Sequence, residues 1–317
     1  MPFISVIIPN YNHAPYLRQR IDSVINQTYQ DFEIIILDDL SPDNSKEIIE
    51  QYRDNSKISH IIYNDVNSGS TFKQWNKGID LAKGEWVWIA ESDDFCENIF
   101  LETLVSLIET YKTAGLIYCQ SVFYNELEND LSPYRSTNNI IEFIEKENFV
   151  EKKLIPFTTL INASMAIFKK GLYKQIPEDY TNYRLAGDWI FWAEIGSLAD
   201  VVISGKFLNY FRQHSIKVSN NTKKNGINYS EEINVLKYFK NRFQLDNNKY
   251  ENALFQHYFR FLYDSFSFNE GVKDKVNKLF FDNFSVKLNK RVRKQILADR
   301  FTHRYIPKLL KLFFNEK

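Results

Sequence analysis

Phe3-Ile4-Ser5-Val6-Ile7-Ile8-Pro9-Asn10-Tyr11-Asn12-His13 is the stretch on which the fold turns. An almost unbroken apolar run stops abruptly in a polar cluster. A strand buried on both faces reads this way, whereas a strand with one wet face alternates. Working outward, the pattern repeats. Residues 16–26 place Leu17, Ile21, Val24 and Ile25 at helical spacing. Residues 32–37 are a second apolar run, ending in Asp38-Asp39. Ser41-Pro42 then opens a helix, with Ser as cap and Pro at its first position. Residues 58–63 read as a third strand and 71–82 as a helix closed by Gly84. Residues 85–90 are a fourth strand ending in Glu91-Ser92-Asp93-Asp94, followed by a helix over 100–111 and a fifth strand over 116–123.

Strand and helix thus alternate four times, which predicts an α/β fold: a mainly parallel sheet covered on both faces. From about residue 220 the strand-like runs stop, and aromatic-rich helical patterns take over at 235–243 and 255–266. The expected division is an α/β domain over 1–220 and a helical region with a basic tail over 221–317.

The chain has 317 residues, 44% hydrophobic and 25% charged, which is ample apolar area for a core and excludes a disordered protein. No apolar run approaches the roughly 18 residues of a membrane span. No secretory leader is visible at the N-terminus. Cys96 and Cys119 form no CxxC pair, so neither a disulfide framework nor a structural zinc site is expected. The composition reads as a cytoplasmic protein of enzyme size. Its zero net charge hides an asymmetry: residues 271–317 hold 13 Lys and Arg against 4 Asp and Glu. Anionic surfaces are the natural partners of such a tail.

The polar groups fall where a ligand is expected. Asn10-Tyr11-Asn12-His13, Asp38-Asp39, Asn64-Asp65 with Asn67-Ser68-Gly69, and Glu91-Ser92-Asp93-Asp94 each follow one of the first four strands. In an open parallel sheet the carboxyl ends of the strands share one edge, and ligands bind in the crevice there. No GxGxxG follows the first strand and no GxxxxGK[ST] occurs, which argues against a dinucleotide oxidoreductase and a P-loop nucleotidase. A carboxylate cluster suits a hard divalent cation, and Mg²⁺ in particular takes one or two carboxylates plus substrate phosphates. A metal-bridged diphosphate is the inferred ligand.

These segments carry a resemblance. Ile8-Pro9-Asn10-Tyr11-Asn12, Leu37-Asp38-Asp39-Leu40-Ser41-Pro42-Asp43, Asn67-Ser68-Gly69 with Asn76-Lys77-Gly78-Ile79, Glu91-Ser92-Asp93-Asp94 and Gly187-Asp188-Trp189 stand in the order seen in the family 2 inverting glycosyltransferases. The chain resembles that family over about residues 3–215. The resemblance implies a single nucleotide-sugar-binding α/β domain with a mixed central sheet. Pro9, Tyr11 and Asn12 match the segment around base and ribose. Asp39, with Asp38 its neighbour, matches the aspartate that bonds the base. Glu91 and Asp93 match the first and third positions of the Asp-x-Asp motif, the first facing ribose and the third holding Mn²⁺ or Mg²⁺ on the diphosphate. Glu91 stands where the family usually has Asp, and Gln74-Trp75 replaces the usual Ala-Arg, with Lys73 nearby as a candidate phosphate contact. Asp188 matches the catalytic base, with Gly187 leaving room for an acceptor. Tyr210-Phe211-Arg212-Gln213-His214-Ser215 resembles the closing Tyr-Arg-x-His segment, in which His214 completes the metal shell and Arg212 meets a phosphate. The implied activity is transfer of a sugar from a nucleotide-diphosphate donor, UDP by resemblance, to a saccharide or lipid-linked acceptor during bacterial surface polysaccharide assembly.

Other readings stand beside this one. Asp38-Asp39 alone reads equally as a turn, Glu91 to Asp94 as first-turn acids of a helix, and Asp188 more readily as a cap. All five tryptophans fall between residues 75 and 192. Buried core is their commoner use, and Trp189, beside Asp188, is the one expected to wall the sugar or acceptor. The basic stretches 286–294 and 305–314 read either as a solvated helical cap or as a surface lying on an anionic membrane. The latter would make the protein peripheral on the inner face of the plasma membrane. No base-reading motif supports nucleic-acid binding. A sugar nucleotidyltransferase on a related fold would want a Gly-rich loop after the first strand, and Pro9 to His13 holds no Gly. A catalytically idle nucleotide-binding scaffold would have no need of Asp93 and Asp188.

Overall fold

The computed structural model describes residues 1–214, 224–264 and 268–301, with side chains as far as 298. Ser215 of the closing segment and the basic stretch 305–314 lie outside them. The chain divides into two compact units, 1–220 and 221–317.

The first unit is built on one ten-stranded sheet. In chain order its elements are β1 (Ile4–Asn10), α1 (Ala14–Ile25), β2 (Phe32–Asp38), α2 (Ser45–Glu50), β3 (Ile58–Tyr63), α3 (Thr71–Leu81), β4 (Trp86–Ile89), β5 (Phe95–Cys96), α4 (Phe100–Thr110), β6 (Ala114–Asn125), β7 (Asp130–Tyr134), β8 (Ile141–Ile144), α5 (Lys146–Phe149), β9 (Ala166–Lys169), α6 (Lys170–Tyr173), α7 (Gly187–Leu198) and β10 (Asp200–Gln213). The main order across the sheet is β3-β2-β1-β4-β9-β6-β10-β5. β1 lies parallel between β2 and β4, with Asn10 opposite Asp38. β9 is inserted antiparallel to both β4 and β6, and β10 returns parallel to β6. The sheet is therefore mixed and mainly parallel.

Every residue of β1 and β2 is buried, which is why their apolar runs do not alternate. Trp88 of β4 stacks on Phe100 at 4.4 Å and gives its indole N–H to the Ser164 carbonyl at 2.9 Å. An indole N–H sealed in a core needs such a partner.

One helix begins later than the sequence indicates. Ser41-Pro42 does not open α2, which starts at Ser45. Asp38 captures Ser41 first: its Oδ1 accepts the Ser41 N–H at 2.9 Å, and its Oδ2 accepts the Ser41 hydroxyl at 2.6 Å. A Ser so engaged cannot cap a helix. Asp43 holds the following turn, accepting Ser45 N–H at 3.1 Å and Ala14 N–H at 2.9 Å.

The second unit contains helices Ile227–Arg242, Asn247–Tyr263, Val272–Asn283 and Val286–Phe301. Its core is aromatic, with the Tyr258 ring 5.3 Å from Phe280 and the Tyr229 ring 5.2 Å from Phe261. Among the described residues no helix is long and apolar enough to cross a membrane.

Candidate active site

The carboxyl ends of β1, β2 and β4 are adjacent because those strands are paired in parallel. Asn10, at the end of β1, donates from Nδ2 to Asp38 Oδ2 at 2.7 Å and to Ser41 Oγ at 3.1 Å. Asn12 follows with a left-handed φ of 59°, a conformation Asn tolerates better than most residues. Its N–H donates to Ser41 Oγ at 3.0 Å. Pro9 is buried, and Tyr11 is left 47% exposed at the edge. Asp38 is thus spent on organising this turn.

Asp39 organises a second one. Its Oδ1 accepts from Asn64 Nδ2 at 2.6 Å, the Ser68 N–H at 2.8 Å and Gln74 Nε2 at 2.9 Å, while its Oδ2 accepts the Ser68 hydroxyl at 2.7 Å. Asp39 is only 5% exposed. Lys73 lies on the exposed side of α3, with Nζ 3.4 Å from the Ser68 carbonyl.

The acidic run after β4 divides into three roles. Glu91 accepts the Trp75 indole N–H at 2.8 Å. Burial, and then the charge of Asp93, push its carboxyl up to about 8 against that bond. Asp94 is fully buried and braces the edge from three sides. It accepts from Asn162 Nδ2 at 2.6 Å, the Ser164 hydroxyl at 2.8 Å and the Arg212 N–H at 3.1 Å. Burial and then Asp93 raise its carboxyl to about 6, opposed by Arg20, whose guanidinium is 4.0 Å away. Asp93 faces imidazoles: its Oδ2 is 3.1 Å from His214 Nε2. One ligand atom each from His13, Asp93 and His214 lie within 4.8 Å of one another.

Short β5 explains this meeting. It pairs antiparallel with β10, Phe95 opposite Tyr210 and Cys96 opposite Asn209. The chain leaving β10 therefore runs back past Asp94 and Asp93. His214 is 6% exposed, and its Nδ1 has no hydrogen-bond partner among the described residues. Two nitrogens and an oxygen so close, beside a crowd of buried carboxylates, are a donor set that fits a divalent cation. His13 is the residue sequence reasoning passed over. Its neighbours arrive from 80 and 201 positions along the chain, and only the strand order reveals them.

Three expectations meet different surroundings. Arg212 is 3% exposed and already engaged. It donates to the Asp93 carbonyl at 2.8 Å, to Glu126 at 3.2 Å and to Gln19, with its guanidinium 4.8 Å from the Tyr16 ring. Trp189 is 4% exposed and gives its indole N–H to the Leu154 carbonyl at 2.9 Å. That is core packing. The space beside Gly187 is filled too: a Cβ there would lie 2.2 Å from the Tyr180 carbonyl oxygen and 2.6 Å from Phe72 Cε2.

Asp188 stands in the first turn of α7, part-buried, with Oδ1 accepting the Trp189 N–H at 2.8 Å. An aromatic pair on α3 ties it to the acidic run. The Phe72 ring abuts Gly187, its ring centre is 5.1 Å from that of Trp75, and Trp75 holds Glu91.

The mixed, mainly parallel sheet that carries this cluster has counterparts among solved structures. Staphylococcus aureus TarS 1–349, solved in complex with UDP, shares the fold at a TM-score of 0.58 and 20% identity, covering 84% of this chain and 73% of that one. The sequence profile of glycosyl transferase family 2 matches residues 5–176, and this chain belongs to that family. Glycosyltransferase GlyA of Streptococcus pneumoniae is 31% identical over 184 residues, 56% of this chain but 26% of GlyA. This chain therefore spans about a quarter of that relative. The GalNAc(5)-diNAcBac-PP-undecaprenol beta-1,3-glucosyltransferase of Campylobacter jejuni is 29% identical over 224 residues, 68% of this chain and 67% of that protein.

Proposed function

We propose that this chain is an inverting glycosyltransferase that moves a sugar from a UDP-sugar to an acceptor hydroxyl in bacterial surface polysaccharide assembly. The observation that carries the reading is the Asp93–His214 pair, 3.1 Å apart at the carboxyl edge of a sheet of this family. Residues 1–220 form the nucleotide-sugar domain and 221–317 a helical region beside it in sequence. Pro9, Tyr11 and Asn12 border the base and ribose. Asp38 and Asp39 hold the two turns in place, Glu91 faces the ribose, and Lys73 is the candidate phosphate contact.

Asp93 and His214 would hold Mn²⁺ or Mg²⁺. When bound, the cation offsets negative charge gathering on the departing diphosphate. Asp188 takes the proton of the acceptor hydroxyl as that oxygen bonds the anomeric carbon. The bond from that carbon to the diphosphate oxygen breaks on the opposite side, and its electron pair leaves with UDP. One displacement inverts the anomeric centre, and no covalent enzyme intermediate forms.

The acceptor is a saccharide or a lipid-linked saccharide. The Campylobacter jejuni relative has a PP-undecaprenol-linked saccharide in its name. Lys287, Lys290, Arg291, Arg293 and Lys294 are all exposed on one helix. They suit the anionic inner leaflet of the plasma membrane, where such an acceptor would be met.

Asp188→Asn is the test. UDP affinity should stay within about twofold of wild type, while UDP release in the presence of acceptor falls about 100-fold or more. Undiminished turnover in that variant would overturn the assignment of the base.

A further inference from the structure

His13 is placed with unusual care for a loop residue. It is the N-cap of α1, and its carbonyl accepts the N–H groups of Tyr16 and Leu17 at 3.0 Å each, so its backbone is tied to the start of the helix. Its Nδ1 is 2.8 Å from the hydroxyl of Ser92, the neighbour of Asp93. Its ring centre is 5.7 Å from that of His214, and Tyr16 packs against both imidazoles, at 6.1 and 4.7 Å. Loops after three different strands thus deliver His13, Asp93 and His214 to one point. The other carboxylates of the run are committed elsewhere, Glu91 to Trp75 and Asp94 to Asn162, Ser164 and Arg212.

Resting on the reading of this edge as the cation site of a transferase, we propose that His13 is a third protein ligand. Two imidazoles and one carboxylate then make the site selective for a first-row transition ion over Mg²⁺. The chemistry follows from the donors. Mg²⁺ prefers an all-oxygen octahedron and sheds its water reluctantly. Imidazole nitrogen favours transition ions, with affinity rising from Mn²⁺ toward Co²⁺ and beyond. Asp93 is the sole carboxylate of this donor set among the described residues, and such a site offers Mg²⁺ little. Nδ1–H of His13 donating to the Ser92 hydroxyl would fix the ring and leave Nε2 to ligate, as the outer contacts of metal-bound histidines commonly do.

The experiment uses the full-length protein, stripped with chelator and free of nucleotide. Mn²⁺ binding is followed by loss of the free-ion EPR signal, Co²⁺ by visible absorption, and Mg²⁺ by competition. Mn²⁺ and Co²⁺ should bind at least tenfold more tightly than Mg²⁺. His13→Gln should weaken Mn²⁺ at least tenfold, with near-UV circular dichroism unchanged. Pulsed EPR of the wild-type Mn²⁺ complex should count two coupled histidine nitrogens, a result that needs no variant to fold. One coupled histidine, wild-type Mn²⁺ affinity in His13→Gln, or equal affinity for Mg²⁺ and Mn²⁺ overturns the proposal. Asp93→Asn separates the levels. If it abolishes binding while His13→Gln does not, only the role of His13 falls. If it leaves binding intact, the cation reading of the whole site falls with it.

Discussion

His214 Nε2 lies 3.1 Å from Asp93 Oδ2 across 121 residues of sequence. The two meet because β10 turns back along β5, with Tyr210 opposite Phe95. The same pairing sets the Arg212 N–H on Asp94 at 3.1 Å and the Arg212 guanidinium on the Asp93 carbonyl at 2.8 Å. Arg212 acts here as a clasp. It stacks over Tyr16 and Phe95, at 4.8 and 5.3 Å, and holds the acidic turn against the last strand. An arginine so buried and so fully used contributes shape to the site.

Asp39→Ala should loosen a whole loop. Its carboxylate gathers Asn64, Ser68 and Gln74, and without it the buried Gln74 amide and the half-buried Asn64 and Ser68 lose their shared acceptor. Each buried donor left unpaired costs about 1–3 kcal/mol, so a total loss of about 3 kcal/mol is expected after partial relaxation. The urea midpoint of the variant measures it, and UDP affinity should fall in parallel. A midpoint within error of wild type would show that the loop does not depend on Asp39.

Much of this was legible in the sequence, and what was hidden has a common cause. The buried strands β1 and β2 announce themselves, because burial on both faces removes all alternation. The strand ends carry their polar groups openly. What single residues do there depends on partners brought in by the sheet. Ser41 looks like a cap until Asp38 takes it. Trp189 looks like a sugar wall until Leu154 claims its N–H. His13 has no neighbour in sequence to mark it, since Asp93 reaches it through the pairing of β1 with β4 and His214 through that of β5 with β10. Local propensity reads elements well and cannot read contacts that topology creates.

Acid stability offers a second test. Glu33 is buried between Ser5 and α3's exit. Burial alone would raise its carboxyl. Hydrogen bonds from Ser5, at 2.7 Å, the Lys83 N–H, at 2.7 Å, and Ser59 outweigh that and hold it below its ordinary value. A carboxyl depressed on folding binds its proton more readily in the unfolded chain. The stability it contributes is therefore present above the ordinary carboxylate range and is lost as pH falls through the depressed folded value. Unfolding free energy measured from pH 7 downward should drop less steeply in Glu33→Gln than in wild type below about pH 4.5. Parallel profiles would remove Glu33 from the account.

The basic helix Val286–Phe301 should bind anionic vesicles by charge more than by insertion. Two of its apolar residues, Leu288 and Val292, are already buried inside the second unit, at 1% and 0% exposure, which leaves only Val286 and Leu297 as exposed large apolar side chains among its described residues. Lys287, Lys290 and Lys294 remain outside. A lysine held near an anionic surface contributes about 1 kcal/mol. Replacing the three by Gln should weaken sedimentation with phosphatidylserine vesicles about tenfold to a hundredfold, and moderate salt should do the same to the wild type. Equal binding by variant and wild type would assign this face to solvent.

Gly187→Ala probes the seat of Asp188 without touching its carboxylate. The new methyl would sit 2.2 Å from the Tyr180 carbonyl oxygen, a backbone atom that cannot swing aside, and 2.6 Å from Phe72 Cε2. Either α7 shifts at its first turn or the Tyr180 turn gives way, and overpacking of this kind costs about 1–3 kcal/mol. Because Phe72 packs on Trp75, which holds Glu91, the strain has a path toward the acidic run. Transfer by the proposed mechanism depends on where Asp188 stands to within about an ångström. Turnover should therefore fall at least tenfold, while UDP binding, whose proposed contacts lie at the ends of β1 and β2, changes by less than threefold. A variant with lowered melting temperature but full turnover would show that α7 can yield without moving its carboxylate, and that the Phe72–Gly187 contact serves stability alone.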